Sequence, residues 1–220
     1  MQNNQLKQLI DTSSRIILKV GSSLLINENN NDINYYWLKN FSKEIQSLTD
    51  KKKQIMIVSS GSVALGRKQL NLVKNLSLDE KQAAAAVGQI HLSHAWKEVL
   101  KSFNLESAQI LLAPDDTETR RKHLNARATL LKLLHLNVIP VINENDTVST
   151  DEIKFGDNDR LAARVAQMCE VDLLILFSDV NGLFSEDPNK NKNSELIKEV
   201  TNITPVSYTH LTLPTRSAVG

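Results

Sequence analysis

Short apolar runs alternate along the chain with longer segments in which apolar residues recur every three or four positions. The runs are continuous rather than alternating, which is typical of strands that are covered on both faces. They occupy residues 16–20, 55–58, 109–113, 138–142 and 173–177. Helical spacing is found in residues 35–48, 83–103, 119–134 and 159–168.

This order of elements predicts an α/β fold. Strands that are separated by helices of this length pair in parallel through right-handed crossovers. We therefore expect an open αβα sandwich with a mainly parallel sheet. In such sheets the loops at the carboxyl ends of the strands converge on the ligand.

The segments that follow the predicted strands are rich in glycine and small hydroxyl residues. The first strand runs into "KVGSSL" (19–24), the second into "SSGSVALG" (59–66), and the last into "SDVNGLF" (178–184). Glycine lets backbone N–H groups approach an anion, and a following helix N-terminus adds positive potential. One such loop is ordinary turn chemistry, but two at successive strand ends, as after the first and second strands, indicate phosphate or carboxylate binding.

Two polar segments lie close together in the second half of the chain. They are "NEND" (143–146) and "FGDNDR" (155–160). A solvated loop that precedes a helix would explain so many acids. The alternative is a site for a cationic or metal-bound substrate.

Composition limits the class of protein. The chain has 220 residues, 26 of them basic and 25 acidic, with a net charge of +1. That balance predicts no attraction to nucleic acid or to a membrane surface. The chain has a single cysteine, Cys169, so it cannot form an internal disulfide. Its N-terminal segment does not resemble a secretion signal. We expect a soluble, cytoplasmic protein, with Cys169 as a buried small apolar residue.

Several apparent motifs fail on inspection. Residues 61–68, "GSVALGRK", approach a phosphate-binding P-loop but lack the Lys-Ser/Thr pair after the second glycine. His91 and His94 are three residues apart on a helical segment, without a nearby acid or cysteine to complete a metal site. No metal-ligating set is predicted. Ser59 and Ser60 have no visible His and Asp partners, which argues against a serine hydrolase.

Taken in order, the motifs resemble those of the glutamate 5-kinases, a family of the amino-acid kinase superfamily. The likeness extends from about residue 15 to residue 204. It rests on "LKVGSSLL", "VSSGSVALGR", "LNARATL", "PVINENDTVSTDEIKFGDND" and "LLILFSDVNGLF". The resemblance implies an amino-acid kinase-like fold. It also implies transfer of the γ-phosphoryl group of ATP, with Mg²⁺, to the side-chain carboxylate of L-glutamate in proline biosynthesis.

The resemblance implies roles on the phosphate side. Lys19 is similar to a lysine that binds ATP phosphate and acts in catalysis. Asp159 is similar to an acid that holds catalytic lysines in place, although a first-turn acid of a helix is the simpler interpretation. Ser178 and Asp179 match an ATP contact near the base and sugar.

The resemblance also implies an acceptor pocket made by Ser60, Asp146 and Asn158. A carboxylate suits the α-ammonium group of an amino acid, and an amide suits its α-carboxylate. Ser60 would also fit as a helix N-cap before "GSVALGR". In this interpretation the two polar segments form the walls of a glutamate pocket.

The chain departs from the family pattern towards its C-terminus. The family has a later glycine-rich segment with a second catalytic lysine, and no such segment occurs here. We expect a polar N-terminal extension (1–14), a kinase domain that is incomplete at its C-terminus (15–205), and an anomalous, disordered or artefactual tail (206–220). The 220-residue chain itself is therefore expected to be inactive, whereas the intact protein would be a homo-oligomer.

Two alternatives stay open. The first is a kinase of the same superfamily with acetylglutamate, aspartate or uridylate as acceptor, against which "NENDTV" argues. The second is a non-catalytic amino-acid sensor. Lys19 argues against a sensor, and the missing second lysine argues for one.

Overall fold

Helices and strands alternate along the chain. The computed structural model describes residues 2–27, 30–73, 75–148, 158–178, 182–186, 191 and 193–200. The helices are α1 (Gln2–Thr12), α2 (Ser22–Leu25), α3 (Tyr35–Asp50), α4 (Ser62–Gln69), α5 (Leu78–Lys101), α6 (Pro114–Glu118), α7 (Arg120–His135) and α8 (Asn158–Met168). The strands are β1 (Arg15–Val20), β2 (Ile26–Asn27), β3 (Asp32–Ile33), β4 (Gln54–Ser59), β5 (Glu106–Leu112), β6 (Val138–Glu144) and β7 (Leu173–Phe177).

The main sheet has five strands in the order β5-β6-β4-β1-β7, and all of its pairings are parallel. The parallel sheet predicted from the apolar runs is thereby confirmed. β1 lies inside the sheet, and Lys19 near its end is paired with Val58 on one side and Leu176 on the other. The short antiparallel pair β2–β3 was not predicted from the sequence.

Helices cover both faces of the sheet and form two apolar clusters with it. One cluster joins the sheet to α3 and α5 through residues such as Ile16, Leu18, Ile57, Leu38, Phe41 and Trp96. The other joins it to α7 and α8 through residues such as Ile17, Met56, Val58, Leu130, Leu161 and Val165. Because side chains alternate along a strand, Lys19 shares the face of Ile17 and is directed towards the α7–α8 side. The predicted αβα sandwich is confirmed.

Helix α5 begins earlier than the apolar spacing predicted, at Leu78 rather than at residue 83. The backbone N–H of Ser77 donates to Glu80 Oε2 at 2.8 Å, which satisfies a donor at the helix start. Polar residues in the first turn hid this start from a search for apolar periodicity. Helix α1, in the segment expected to be an extension, was not predicted either, and its Ile10 contacts the core.

Helices α4 and α5 approach each other closely at two glycines. A Cβ atom on Gly66 would lie 1.7 Å from the carbonyl oxygen of Ala84, and one on Gly88 would lie 1.8 Å from that of Ser62. Any larger residue at these positions would force the two helices apart. The glycines thus set the distance between the start of α4 and the middle of α5.

Two further predictions concern cysteine and histidine. Cys169 is fully buried, as expected for a small apolar residue. Burial raises the pKa of its thiol to about 11. His91 and His94 are exposed on α5. Among the described residues, no group of three or more His, Cys, Asp or Glu side chains could hold a metal ion.

The chain divides into two compact units, Met1–Phe177 and Ser178–Gly220. In the second unit, Phe184 and Leu196 form an antiparallel bridge, and Ile197 N donates to Leu183 O at 2.8 Å. The proposed tail, 206–220, lies outside the described residues. Within the ranges described, no helix combines the length and apolar character required to cross a membrane.

Candidate active site

A cation and an acid meet at the carboxyl end of β1. The Nζ atom of Lys19 lies 2.5 Å from Oδ1 of Asp159, in the first turn of α8. The Lys19 side chain is 8% exposed and that of Asp159 is 23% exposed. Water screens such a pair weakly, so the acid fixes the position of the lysine head group. The resemblance implied that Asp159 holds catalytic lysines in place, and the fold brings it together with Lys19 across 140 positions of sequence.

Asn158, the residue before Asp159, is bound to the end of β4. Its side-chain Nδ2 donates to the carbonyl oxygen of Ser59 at 3.0 Å and to Oγ of Ser60 at 2.8 Å. A third acceptor, Oδ1 of Asn143 in β6, lies at 2.8 Å. The start of α8 is therefore held against the ends of two neighbouring strands.

The network continues from Asn143 to Asp146. Nδ2 of Asn143 donates to Oε1 of Gln89 on α5 at 2.8 Å and to Oγ of Ser62 at 3.3 Å. The Ser62 hydroxyl in turn donates to Oδ2 of Asp146 at 3.3 Å. Asn158 and Asp146, which the sequence assigned to opposite walls of a pocket, are thus linked through two intermediate side chains.

Ser59 anchors this arrangement from the side of α5. Its Oγ accepts a hydrogen bond from Nε1 of Trp96 at 2.9 Å, and both residues are fully buried. A buried indole N–H without an acceptor is costly, so this bond fixes Ser59 relative to the helix. The Ser59 carbonyl is consequently well placed to receive Asn158.

A cavity of about 410 Å³ adjoins the network. Polar and acidic side chains on its wall include Gln89, Ser93, Gln109, Glu144, Asn145, Asp146 and Thr147. Ala85, Ala86, Ile90 and Leu111 supply the apolar part of the wall. The cavity is large enough for a small metabolite, and its two carboxylates favour a group with positive charge.

Ser60 does not serve as the N-cap of α4, the simpler role that its position suggested. The N-cap is Gly61, whose φ of 118° lies in the left-handed region that favours glycine. This turn leaves the Ser60 hydroxyl in contact with Asn158 instead. Of the predicted ATP contacts, Ser178 is exposed and belongs to the second compact unit, whereas Asp179 lies outside the described residues.

Sequence reasoning missed Ser62, Gln89 and Asn143 as members of the site. Asn143 opens the "NEND" segment, so its type and position were visible, but nothing in the sequence showed which face of β6 it occupies. Gln89 is a polar residue on an otherwise apolar helix face and is 8% exposed. A buried glutamine of this kind signals a hydrogen-bonded role, although the sequence does not name its partner.

Comparison with known families gives one match over most of the chain. Residues 14–213 match the family described as the amino acid kinase family. A glutamate 5-kinase from Paramagnetospirillum magneticum is 51% identical over 193 residues, which cover 88% of this chain and 52% of the relative. A glutamate 5-kinase from Caulobacter vibrioides is 52% identical over 196 residues, which cover 89% of this chain and 52% of the relative. The chain spans about half the length of the curated relatives it matches.

Solved structures show the same fold at low sequence identity. The UMP kinase from Bacillus anthracis has a TM-score of 0.58 at 22% identity, and the match covers 84% of this chain and 72% of that one. The isopentenyl phosphate kinase from T. acidophilum has a TM-score of 0.58 at 16% identity. That match covers 84% of this chain and 79% of the solved chain. The two similarities support the αβα sandwich.

Proposed function

The chain belongs to the amino acid kinase family, and from that premise we propose that the whole protein transfers the γ-phosphoryl group of ATP to the side-chain carboxylate of L-glutamate. The observation that carries the proposal is the start of α8. There Asn158 joins the hydrogen-bond network that reaches Asp146, and the next residue, Asp159, holds Lys19. The acceptor side and the phosphate side of one reaction would thus meet at two consecutive residues.

The acceptor would lie beside Ser60, Asp146 and Asn158. Both N–H bonds of Asn158 are directed at protein acceptors, so its carbonyl oxygen is the atom suited to a substrate. An ammonium group is the natural partner of that oxygen and of the Asp146 carboxylate. The sequence-based hypothesis paired the Asn158 amide with the α-carboxylate of the substrate. The hydrogen bonds support the α-ammonium group as its partner instead.

On the phosphate side, Lys19 would stabilise charge on the transferred group. A carboxylate is ionised at neutral pH and already nucleophilic, so transfer needs no general base to activate it. The main obstacle is repulsion between an anionic acceptor and an anionic triphosphate. An ammonium has three donors, so Lys19 could contact both Asp159 and a phosphate oxygen. The loss of one preorganised donor of this kind typically lowers kcat by a factor of about 10²–10³.

The nucleotide would enter as Mg-ATP. Mg²⁺ is commonly bound by substrate phosphates with only one or two protein carboxylates, so its use does not require a protein-built cage. Ser178 and Asp179 remain proposed contacts of the nucleotide. Homo-oligomer formation, a cytoplasmic location and the inactivity expected of the 220-residue chain also remain predictions.

Binding of L-glutamate to this chain tests the acceptor assignment. Saturation-transfer NMR detects weak binding, and the comparison uses Asp146→Asn, Asn158→Ala and the exposed control Asp50→Asn. Loss of a charge-assisted hydrogen bond costs about 1.5–3 kcal/mol, so the dissociation constant should rise roughly 10- to 100-fold in the two site variants. The control should bind like the parent chain.

Two results would contradict the assignment. One is equal affinity for L-glutamate in the parent chain and both site variants. The other is saturable binding of aspartate, acetylglutamate or uridylate without binding of L-glutamate, which would favour the alternative acceptors.

A further inference from the structure

The side-chain amide of Gln89 is oriented by its neighbours, and the orientation leaves its nitrogen facing the cavity. The carbonyl oxygen of Ser59 can only accept hydrogen bonds, so Asn158 directs Nδ2 towards it at 3.0 Å. The same Nδ2 donates to Oδ1 of Asn143 at 2.8 Å, which turns Nδ2 of Asn143 towards Gln89. Gln89 therefore presents Oε1 to Asn143 at 2.8 Å, and its Nε2 lies on the other side of the amide group.

Nε2 of Gln89 has two N–H groups that are available to a ligand. In the part of the chain that the structure describes, no protein acceptor receives a hydrogen bond from this nitrogen. Gln89 is 8% exposed and lines the cavity of about 410 Å³ beside the polar network. Because a buried polar group without a hydrogen bond is costly, a donor held in this way at a cavity wall favours a bound acceptor.

Two hydroxyl donors on the same wall are already used within the protein. The Ser93 hydroxyl donates to the carbonyl oxygen of Gln89 at 2.8 Å and to that of Ile90 at 3.1 Å. The Thr147 hydroxyl donates to Oδ1 of Asn145 at 2.6 Å. Gln89 thus differs from these residues in directing its donors into the cavity.

The cavity wall combines this neutral donor with acids. The carboxylates of Glu144 and Asp146 favour a group with positive charge, whereas the N–H groups of Gln89 suit the oxygen atoms of an anion. A ligand that carries an ammonium and a carboxylate group close together satisfies both requirements. An α-amino acid has this arrangement, because both groups are attached to the same carbon atom.

We propose that Gln89 is a binding residue of the acceptor pocket and that its Nε2 donates to the α-carboxylate of an amino-acid substrate. The identity of that substrate as L-glutamate rests on the proposed function. In that proposal the ammonium group lies beside Asn158 and Asp146, and the side-chain carboxylate faces Lys19. The α-carboxylate is the remaining polar group of the substrate, and the Gln89 amide binds it without introducing a full charge.

The test uses the 220-residue chain and three substitutions. Gln89→Glu keeps an oxygen acceptor for Asn143 but replaces the donor by a second oxygen, so it separates the ligand contact from the contact with Asn143. Gln89→Met removes both the acceptor and the donor at a similar side-chain length. Gln109→Glu introduces the same charge at an exposed residue on the wall of the same cavity and serves as the matched control.

Affinity for L-glutamate, measured by saturation-transfer NMR, is the first readout, and circular dichroism verifies the fold of each variant. Loss of a hydrogen bond to a charged group should raise the dissociation constant roughly 10- to 100-fold in Gln89→Met and at least as much in Gln89→Glu. Gln109→Glu should raise it less than about fivefold, because water screens an exposed charge. Unchanged affinity in Gln89→Glu or in Gln89→Met would overturn the proposal.

Affinity for 4-aminobutyrate is the second readout, and it identifies the group that Gln89 contacts. This compound has the ammonium group and the side-chain carboxylate of L-glutamate but no α-carboxylate. Gln89→Met should therefore change its dissociation constant less than about threefold. Equal losses of affinity for 4-aminobutyrate and L-glutamate would show that Gln89 does not bind the α-carboxylate.

The same titrations separate this contact from the proposed function. If aspartate or acetylglutamate binds with the expected dependence on Gln89 while L-glutamate does not bind, the contact stands and the proposed function fails. If L-glutamate binds equally well to the parent chain and to both Gln89 variants, the contact fails and the proposed function stands. Binding of none of these compounds would contradict both.

Discussion

The ammonium group of Lys19 lies 2.5 Å from Oδ1 of Asp159 and joins the end of β1 to the first turn of α8. Lys19 is directed at that helix because it occupies the same face of β1 as Ile17, which packs in the cluster formed with α7 and α8. The ion pair therefore has a structural role in addition to the catalytic role proposed for it.

Removal of one partner of this pair should destabilise the fold. Asp159→Ala removes the carboxylate that lies 2.5 Å from a lysine that is 8% exposed, and removal of one partner of a buried ion pair typically costs about 3–5 kcal/mol. Because Asp159 is 23% exposed, we expect a loss near the lower end of that range. Urea unfolding measures it, and Lys19→Met combined with Asp159→Ala should recover a substantial part of the loss.

The exposed pair Lys68–Asp32 is the control for this prediction. Its atoms lie 2.8 Å apart, but the two side chains are 39% and 55% exposed. Asp32→Ala should therefore cost less than about 1 kcal/mol. Similar losses from Asp159→Ala and Asp32→Ala would show that the Lys19–Asp159 pair is an ordinary surface contact.

Gly88→Ala should separate α4 from α5. The added Cβ would lie 1.8 Å from the Ser62 carbonyl oxygen, and that atom belongs to the backbone, so the helices themselves must move. Overpacking of this kind typically costs about 1–3 kcal/mol. The loss should appear in urea unfolding and, if the chain binds glutamate, in weaker binding, because Ser62 and Gln89 belong to the polar network.

Gly21→Ala provides the comparison for stability. Its Cβ would meet the nearest atom at 3.4 Å, an ordinary contact, and its φ of −70° suits alanine. We expect its free energy of unfolding to stay within about 0.5 kcal/mol of the parent value. If Gly88→Ala were as stable as Gly21→Ala, the close helix contact would not be a constraint.

Cys169 should resist thiol reagents in the folded protein. Burial moves its pKa from an ordinary value of 9.0 to about 11, so the reactive thiolate at pH 8 is roughly a hundredfold scarcer than in an ordinary cysteine. Reaction with a chromogenic disulfide should be slow in buffer and rapid in urea. Since the unfolded chain loses this proton at lower pH than the folded chain, stability should fall as the pH rises from about 9 to 11.

Cys169→Ala is the control for the pH effect, because lysines also begin to titrate in this range. The parent chain should lose more stability than Cys169→Ala between pH 9 and 11. Equal losses, together with rapid labelling in buffer, would show that the thiol is accessible.

Much of the fold could be predicted from the sequence because continuous apolar runs mark strands covered on both faces. Each of the five predicted runs lies within a strand or overlaps one, and the helical segments also recur with shifted ends. The two-residue strands β2 and β3 were missed because they are too short to show a period. The start of α5 was missed because polar capping residues, rather than apolar ones, determine it.

In the candidate site, the resemblance pointed to residues that lie in motifs and not to residues that only the fold brings there. Lys19 and Asp159 belong to motifs, and the parallel sheet brings them together. Gln89 contributes through a contact with Asn143, 54 positions away, and no local pattern encodes such a contact. The orientation of the Asn158 amide also depends on the Ser59 carbonyl, and the order of side chains in the sequence does not reveal that contact.

Transfer to L-glutamate is tested most directly in a chimera. Residues 15–200 of this chain replace the matching part of the glutamate 5-kinase from Paramagnetospirillum magneticum, which is about twice as long as the matched segment. The chimera is incubated with Mg-ATP, hydroxylamine and one acceptor at a time, and circular dichroism verifies its fold. We predict acyl hydroxamate from L-glutamate, with a strong decrease in Lys19→Ala at unchanged fold. A folded chimera that releases ADP with aspartate, acetylglutamate or uridylate, and forms no hydroxamate from L-glutamate, would contradict the proposed function.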